Sequence, residues 1–246
     1  MKPFLILQLR PETPASDNEF EAILAKSGLA AENTRRIRLD CEPIPADLNP
    51  SDFSGTIVGG GPGCVSDNPA TKSEVDQRIE DGIFSLMPKI TNNDLPFLGC
   101  CYGIGILASH LGARVSREKY GEPVGAVECT LTEAGRRDPV LEGLPDRFQA
   151  FVGHKEAAQN LPEGCSHLAS SPTCPYQLIR FGQNVYATQF HPELDADGLE
   201  FRVGVYLDYG YFPPSEAMKI VERGRAANVT EPELILKNFV KRYAAD

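Results

Sequence analysis

The sequence predicts an α/β protein with a mainly parallel, open sheet, helices on both faces of that sheet and a helical extension at the C-terminus. Three observations carry this prediction. Short apolar runs alternate with helical patterns through the first half of the chain. Strand-like runs separated by turn residues fill a later section, and helical patterns replace them after Pro192. The 246 residues are 41% hydrophobic and 24% charged, as in ordinary globular proteins.

The first half of the chain predicts four strands and three helices. Residues 4–9 are nearly continuous in apolar side chains, as expected of a buried parallel strand. The other predicted strands are residues 35–39, 55–59 and 96–100. The first predicted helix covers residues 18–26 and stops at Gly28. The second is capped by Asn68, has Pro69 at its first position and places Val75, Ile79, Ile83 and Leu86 on one face. The third covers residues 103–111.

The second half predicts strands first and helices afterwards. The strand-like segments are residues 124–131, 149–152, 176–181 and 185–190. Two helical patterns follow, and in the last of them Thr230 and Glu233 form a predicted capping box before the apolar stripe of Leu236, Phe239, Val240 and Tyr243. We therefore expect one main domain at residues 1–200 and a helical extension at 201–246 that packs on it.

Charge and cysteine content narrow the class of protein. The net charge of −10 predicts repulsion from nucleic-acid phosphates and from anionic membrane surfaces. No apolar run is long enough for a membrane span or a secretory signal, so a cytoplasmic protein without nucleic-acid or membrane partners is expected. The seven cysteines include no pair at CxxC spacing, which argues against a disulfide framework or a structural zinc site.

The sequence around Cys101 has the pattern of a nucleophile turn. Gly99-Cys100-Cys101-Tyr102-Gly103 lies between a predicted strand and a predicted helix. Flanking glycines allow such a turn to project its central residue into a cleft, and the helix N-terminus favours a thiolate there. Cys101 is therefore the candidate nucleophile. Cys100 belongs to the strand, and we expect it to pack in the core.

A thiol nucleophile needs a base, and the base needs an orienting partner. His191 and Glu193 follow the last predicted strand two positions apart, so both can face the same end of the sheet. His154 is the rival base, but the sequence shows no carboxylate at a comparable strand end. That difference favours His154 as a loop or pocket-wall residue, and His191 with Glu193 as the partners of Cys101.

A glycine-rich run, Gly-Gly-Gly-Pro-Gly at 59–63, follows a predicted strand and should lie at the same carboxyl edge of the sheet. One of its backbone amides, with that of Tyr102 after the nucleophile, could stabilise an oxyanion. A phosphate-binding loop is the competing interpretation. It is disfavoured because no Lys-Ser or Lys-Thr follows at Walker spacing and no GxGxxG is present.

Taken in order, these three segments resemble the class I, triad-type glutamine amidotransferases, the family that contains the glutaminase domains of GMP synthase and carbamoyl phosphate synthetase. The resemblance covers about residues 1–200 and implies a flavodoxin-like fold. It implies Cys101 as nucleophile, His191 as general base and acid, Glu193 as its orienting residue, and the amides of Gly61 and Tyr102 as oxyanion hole. It also implies hydrolysis of glutamine through a glutamyl thioester, without metal or cofactor, and delivery of ammonia to a synthetase on another chain.

The candidate substrate-binding residues are Gly63, Gly105 and His154. Gly105 departs from the family, which usually has Gln four residues after the nucleophile, where it helps to hold the amino-acid end of the substrate. Two alternatives stay open: a γ-glutamyl peptidase acting on glutathione-like peptides, for which Gly105 leaves room, and a non-catalytic regulatory or binding subunit. Homo-oligomer formation also stays open. The aromatic stretch at 206–212 is expected to pack the extension onto the core rather than to cover the cleft.

Overall fold

Strands and helices alternate along the first half of the chain, in a computed structural model that describes residues 2–244. The strands are β1 (Phe4–Gln8), β2 (Thr34–Arg38), β3 (Gly55–Val58), β4 (Phe97–Cys100), β5 (Val115–Ser116), β6 (Glu122–Leu131), β7 (Arg147–His154), β8 (Ala157–Ala158), β9 (Cys165–Ser170), β10 (Leu178–Phe181) and β11 (Val185–Thr188). The helices are α1 (Thr13–Ser27), α2 (Glu74–Asn92), α3 (Tyr102–His110), α4 (Glu133–Arg136), α5 (Ala196–Val205), α6 (Ala217–Ala226) and α7 (Glu233–Tyr243).

Within residues 2–244, nine strands form one open sheet in the order β2-β1-β3-β4-β11-β10-β9-β6-β7. The strands from β2 to β11 pair in parallel. The strands from β11 to β7 pair antiparallel. The predicted α/β class is confirmed, and the sheet is mixed because the strand-rich later section adds antiparallel strands to one side of the parallel part.

Helices cover both faces of the sheet, as predicted. Alternate residues of β1 point to opposite faces. Phe4 and Ile6 pack with α1 and α7, and the rings of Phe4 and Phe239 lie 6.4 Å apart. Leu5 and Leu7 pack with α2 and α3 on the other face. The parallel strands are therefore buried on both sides, which explains their continuous apolar sequences.

Two predicted helix starts are wrong. Helix α1 begins at Thr13 rather than residue 18, although Gly28 ends it in a left-handed conformation, with φ of 77°, as predicted. Asn68 caps only the three-residue 3-10 turn Pro69–Thr71. The following Lys72 is extended, so the long helix begins anew at Glu74, where Ser73 and Asp76 form a capping box.

Residues 196–244 contain three α-helices where the sequence predicts two. The capping box predicted for Thr230 and Glu233 is wrong, because α7 begins at Glu233 and its cap residue is Pro232. The apolar stripe of α7 is confirmed by the burial of Leu236, Phe239 and Val240. The division at residue 200 falls inside α5 and stays a prediction. No helix in the described part of the chain has the length and apolar character needed to cross a membrane.

Three strands were not predicted from the sequence. Strands β5 and β8 are two residues long and form a separate ribbon, so neither has a detectable period. Strand β9 joins β6 to β10, but only two of its six residues are buried. Its mixed composition resembles a loop because its pairing, rather than its own apolar pattern, makes it a strand.

Candidate active site

The candidate residues meet at the carboxyl edge of the parallel strands. Strands β4 and β11 are neighbours, with Thr188 opposite Cys100 in the register. The chain leaving β3 forms the glycine-rich run, the chain leaving β4 reaches Cys101, and the chain leaving β11 reaches His191. Because parallel strands end at one edge of a sheet, three segments that are distant in sequence converge there.

Cys101 occupies a strained turn between β4 and α3. Its φ of 52° is in a region that side chains other than glycine rarely adopt. The Cys101 amide donates to the Thr188 carbonyl at 2.8 Å. A Cβ on Gly99 would lie 3.0 Å from the backbone of Gly103, so the close approach of strand and helix requires glycine there. Cys100 is fully buried, and burial raises the pKa of its thiol well above the ordinary value.

The imidazole of His191 is held by a buried acid. Nδ1 of His191 and Nη1 of Arg202 lie 2.9 Å and 2.8 Å from the same oxygen, Oε1 of Glu193. Burial alone would lower the pKa of His191, but Glu193 and Cys101 raise it to about 9. Burial alone would raise the pKa of Glu193, but His191 and Arg202 hold it well below the ordinary value. Glu193 is therefore an ionised carboxylate that favours the imidazolium form of His191.

Two glycines of the 59–63 run make room for charged side chains. A Cβ on Gly59 would lie 2.0 Å from Oε1 of Glu19, and a Cβ on Gly60 would lie 2.6 Å from Cε1 of His191. The Gly60 amide donates to Glu19 at 3.1 Å. The Gly60 amide is therefore occupied, and the next residue, Gly61, lines the two cavities that Cys101 also lines.

A sequence profile of the family described as glutamine amidotransferase class-I matches residues 17–198. The chain belongs to this family. A GMP synthase (glutamine-hydrolyzing) from Macrococcus caseolyticus is 32% identical over 148 residues, which are 60% of this chain and 25% of that enzyme. A separate GMP synthase (glutamine-hydrolyzing) subunit from Thermoplasma acidophilum is 28% identical over 166 residues, 65% of this chain and 75% of that protein. The chain thus matches about a quarter of the length of the first relative.

Solved structures show the same fold over the whole chain. A glutamine amidotransferase from Thermotoga maritima superposes with a TM-score of 0.73 at 20% identity and covers 100% of both chains. One from Methylobacillus flagellatus has a TM-score of 0.74 at 20% identity, covering 100% of this chain and 97% of that one. The family resemblance and the fold predicted from the sequence are therefore confirmed.

Beside Cys101 the candidate site contains a cavity, here named the polar cavity for the charged side chains of Lys155 and Glu156 that line it. Gly63, Gly105 and His154, the predicted substrate-binding residues, all line it. The carboxylate of Glu156 accepts hydrogen bonds from the backbone amides of residues 65 and 66 at 2.7 Å and 2.8 Å. A Cβ on Gly105 would lie 3.1 Å from Oε1 of Glu156. A fixed carboxylate therefore lies next to Gly105, where the family resemblance had implied a Gln side chain.

His154 has a carboxylate partner that the sequence analysis missed. Its Nε2 lies 2.8 Å from Oε2 of Glu122, and its Nδ1 lies 2.8 Å from the carbonyl of Glu156. The expectation that no strand-end carboxylate serves His154 is wrong, because Glu122 begins the neighbouring strand β6. Both ring nitrogens of His154 are engaged, and the ring is buried. This geometry makes His154 a fixed wall of the cavity.

Glu122, His154 and Cys174 could together offer three ligand atoms within 4.8 Å of one another to a metal ion. The oxygens of Glu122 already accept hydrogen bonds from His154, Ser171 and Gln177 at 2.6–2.8 Å. Burial raises the pKa of the Cys174 thiol to about 12, so the thiol stays protonated. A metal would have to displace those donors and remove that proton, and the arrangement is better described as a buried hydrogen-bond network.

The aromatic stretch packs the extension onto the core, as expected, and it also lines the cleft. The Tyr211 hydroxyl donates to the Pro62 carbonyl at 3.2 Å, and its ring lines the cavity at Cys101. The Tyr206 hydroxyl accepts from Nη1 of Arg10 at 3.0 Å. The extension can reach the site because α5 begins directly after Glu193 and leads the chain back over the sheet edge.

Two buried arginines were missed by the sequence analysis. Arg10 follows β1 at the sheet edge and pairs with Glu19 at 2.7 Å, while Arg202 in α5 pairs with Glu193. The position of Arg10 could have been predicted, because a charged residue directly after a buried parallel strand lies at the ligand-binding edge of the sheet. Arg202 had no comparable signal in the sequence, because an arginine in a helix is ordinarily solvated.

Proposed function

We propose that this class I glutamine amidotransferase cleaves a γ-glutamyl amide with Cys101 as nucleophile, His191 as general acid and base, and Glu193 as the residue that orients His191. Glutamine is the smallest substrate of this kind. The observation that carries the proposal is the strained turn of Cys101 next to an imidazole whose Nδ1 is 2.9 Å from a buried carboxylate. That arrangement meets the requirements for an activated thiol nucleophile.

The reaction proceeds in two steps. The Cys101 thiolate attacks the γ-carbonyl carbon, and the resulting oxyanion accepts hydrogen bonds from the amides of Gly61 and Tyr102. The C–N bond then breaks as His191 gives its proton to the departing amine, which leaves a glutamyl thioester. In the second step His191 takes a proton from water, the hydroxide attacks the thioester carbonyl, and the C–S bond breaks to release glutamate and Cys101.

The polar cavity is proposed to hold the amino-acid end of the glutamyl group, with the substrate's α-ammonium next to Glu156. An anion fixed by two backbone amides attracts a cationic group without having to rearrange. Replacing Glu156 with Gln is expected to raise KM for glutamine more than it lowers kcat. Equal effects of this variant on glutamine and on its deaminated analogue would contradict the assignment.

Mass spectrometry of the intact protein after a rapid acid quench tests the nucleophile and the substrate class together. We expect a γ-glutamyl adduct on Cys101 and labelling of the same residue by a glutamine-like diazoketone. Cys101→Ala should abolish the adduct, the label and glutamate release, whereas the matched variant Cys100→Ala should retain the label. Glutamate release by Cys101→Ala at the wild-type rate would refute the mechanism, and a site without adduct or label would favour the non-catalytic alternative.

Delivery of ammonia to a separate synthetase is the second candidate function. The observation that favours it is the Thermoplasma acidophilum relative, which is named as one subunit of a GMP synthase and of which the matched segment covers 75%. A separate synthetase would be expected to bind this chain and to raise its glutaminase rate. Pull-down with this chain from cells that express it, followed by glutaminase assays with each captured ATP-dependent synthetase, tests the idea. Capture of no such synthetase would contradict it.

A further inference from the structure

A second cavity meets the polar cavity at Cys101. Cys101, Gly61, Gly153 and Tyr211 line both cavities. His191 lines only the second. Cys101 therefore stands between a polar space on one side and a separate space on the side of the imidazole.

The position of His191 determines which part of a substrate the second cavity receives. In acyl transfer the general acid protonates the leaving group, so the leaving group lies on the side of the acid. The acyl part then occupies the space on the other side of the nucleophile. The second cavity is thus the leaving-group side of the site, provided that the proposed function of Cys101 and His191 holds.

The lining of this cavity is mostly apolar. Its aliphatic residues are Val124, Val152, Leu194, Leu199 and Val203, and its aromatic residues are Tyr206, Tyr211 and Phe212. Ammonia is small and strongly hydrated, and it gains nothing from an apolar space. An amine that carries an apolar substituent would bury that substituent here, with a favourable transfer from water.

The same cavity also contains a cationic side chain with a free donor. Arg10 lines the cavity, its Nε donates to Glu19 and its Nη1 donates to Tyr206, which leaves Nη2 without a hydrogen-bond partner among the described residues. A Cβ on Gly60 would lie 2.9 Å from Nη2 of Arg10 and 2.6 Å from Cε1 of His191, so this donor is close to the imidazole. A carboxylate is the group whose charge and geometry suit a guanidinium donor.

We propose that the preferred substrate is a γ-glutamyl dipeptide whose second residue has an apolar side chain, with that side chain among the aliphatic residues of the second cavity and the carboxylate of the second residue at Nη2 of Arg10. This inference rests on the proposed γ-glutamyl hydrolysis and adds the identity of the leaving group. The leaving amine is the α-amino group of the apolar amino acid, which takes its proton from His191 when the C–N bond breaks.

Four γ-glutamyl substrates separate the contribution of the apolar side chain from that of the carboxylate. They are glutamine, γ-glutamylglycine, γ-glutamylleucine and the γ-glutamyl amide of 3-methylbutylamine, which is γ-glutamylleucine without the carboxylate of its leucine residue. We expect kcat/KM for γ-glutamylleucine to exceed that for γ-glutamylglycine by about 10-fold or more, the effect of burying a leucine side chain. We expect it to exceed that for the decarboxylated analogue by about 10-fold or more, the effect of a hydrogen bond to a charged group. Glutamine should be a weaker donor than γ-glutamylleucine.

A substitution that fills the cavity provides an independent test. Val203→Phe should lower the ratio of kcat/KM for γ-glutamylleucine over glutamine by about 10-fold or more. Val205→Phe makes the same change in the same helix at a residue outside the cavity lining, and it should keep the wild-type ratio. Thermal unfolding and diazoketone labelling of Cys101 check that each variant is folded. If Val203→Phe fails these checks, Val203→Leu replaces it.

The outcomes distinguish this inference from the proposed function. Cys101-dependent hydrolysis of glutamine with no preference for γ-glutamylleucine would overturn the inference and leave the proposed function standing. Equal changes of the ratio in the Val203 and Val205 variants would also overturn it. If no donor forms an adduct on Cys101, both fail. A preference for the decarboxylated analogue over γ-glutamylleucine would overturn the carboxylate contact with Arg10.

Discussion

The charge of Glu193 is expected to control the protonation of His191, and Glu193→Gln tests this directly. The substitution keeps the volume of the side chain and an oxygen that can accept from Nδ1, but it removes the negative charge. In the wild type that oxygen lies 2.9 Å from Nδ1, and the pKa of His191 is raised from 6.5 to about 9. Glu193 is the largest of the influences that raise it, with burial acting in the opposite direction.

The magnitude follows from Coulomb's law. Unit charges about 4 Å apart attract by about 4 kcal/mol at an effective dielectric constant of ~20. Since a tenfold change in an equilibrium constant corresponds to about 1.4 kcal/mol, Glu193→Gln should weaken proton binding by His191 roughly a thousandfold. Its pKa should fall from about 9 toward the ordinary histidine value, because the burial of His191 is then no longer offset by Glu193.

Nuclear magnetic resonance of ¹⁵N-histidine is a suitable assay, because the chain has only four histidines. Loss of a resonance in His191→Asn assigns the relevant signal. Glu200→Gln is the matched control, since it removes an exposed carboxylate from α5, and it should leave the titration of His191 unchanged. Arg202→Gln should have the opposite effect to Glu193→Gln, because it removes the cation that shares the carboxylate. If the proton affinity of His191 in Glu193→Gln stays within tenfold of the wild-type affinity, the reasoning is refuted.

Three further predictions concern stability and geometry. Folding raises the pKa of His191 from 6.5 to about 9, so the protonated imidazole stabilises the fold fully below pH 6.5, and this stabilisation is lost as the pH rises through 9. Over this pH range the free energy of unfolding of the wild type, measured with urea, should fall by about 3 kcal/mol more than that of His191→Asn. Gly60→Ala, with its Cβ 2.6 Å from Cε1 of His191, should lower kcat on the order of 100-fold, whereas a normal kcat would contradict this placement. Glu122→Gln should lower the free energy of unfolding by about 3 kcal/mol, because it breaks the buried pair with His154. The control Glu128→Gln changes an exposed residue of the same strand and should change the free energy of unfolding by less than ~0.5 kcal/mol.

The parts of the site that were predictable from the sequence are those fixed by local chain geometry. Cys101 follows a strand with glycines on both sides, and His191 with Glu193 follows another strand of the same parallel set. Such a segment carries its own evidence, because a buried strand, a sharp turn and a functional side chain are adjacent in sequence. Placing the segments together then required only the rule that parallel strands share an edge.

The parts that were not predictable depend on tertiary contacts. Arg202 reaches Glu193 because α5 folds back over the sheet edge, and Tyr211 reaches the Pro62 carbonyl from 149 positions further along the chain. Neither residue has a local pattern that differs from ordinary helix or loop packing. Glu122 was missed for the same reason, since its partner His154 is 32 residues away on a neighbouring strand. Long-range pairing of polar groups leaves no periodic signal in the sequence.

Gly105 shows why a departure from a family motif is best interpreted with its surroundings. By sequence alone, glycine in place of Gln means a lost hydrogen bond to the substrate. In the structure Oε1 of Glu156 would lie 3.1 Å from a Cβ at residue 105, and two backbone amides fix the carboxylate in that place. A longer side chain at 105 would have to displace Glu156 and leave both amides without their acceptor. Gly105 and Glu156 therefore form one unit, in which a carboxylate from the β7–β8 connection occupies the space that a helix side chain would otherwise fill.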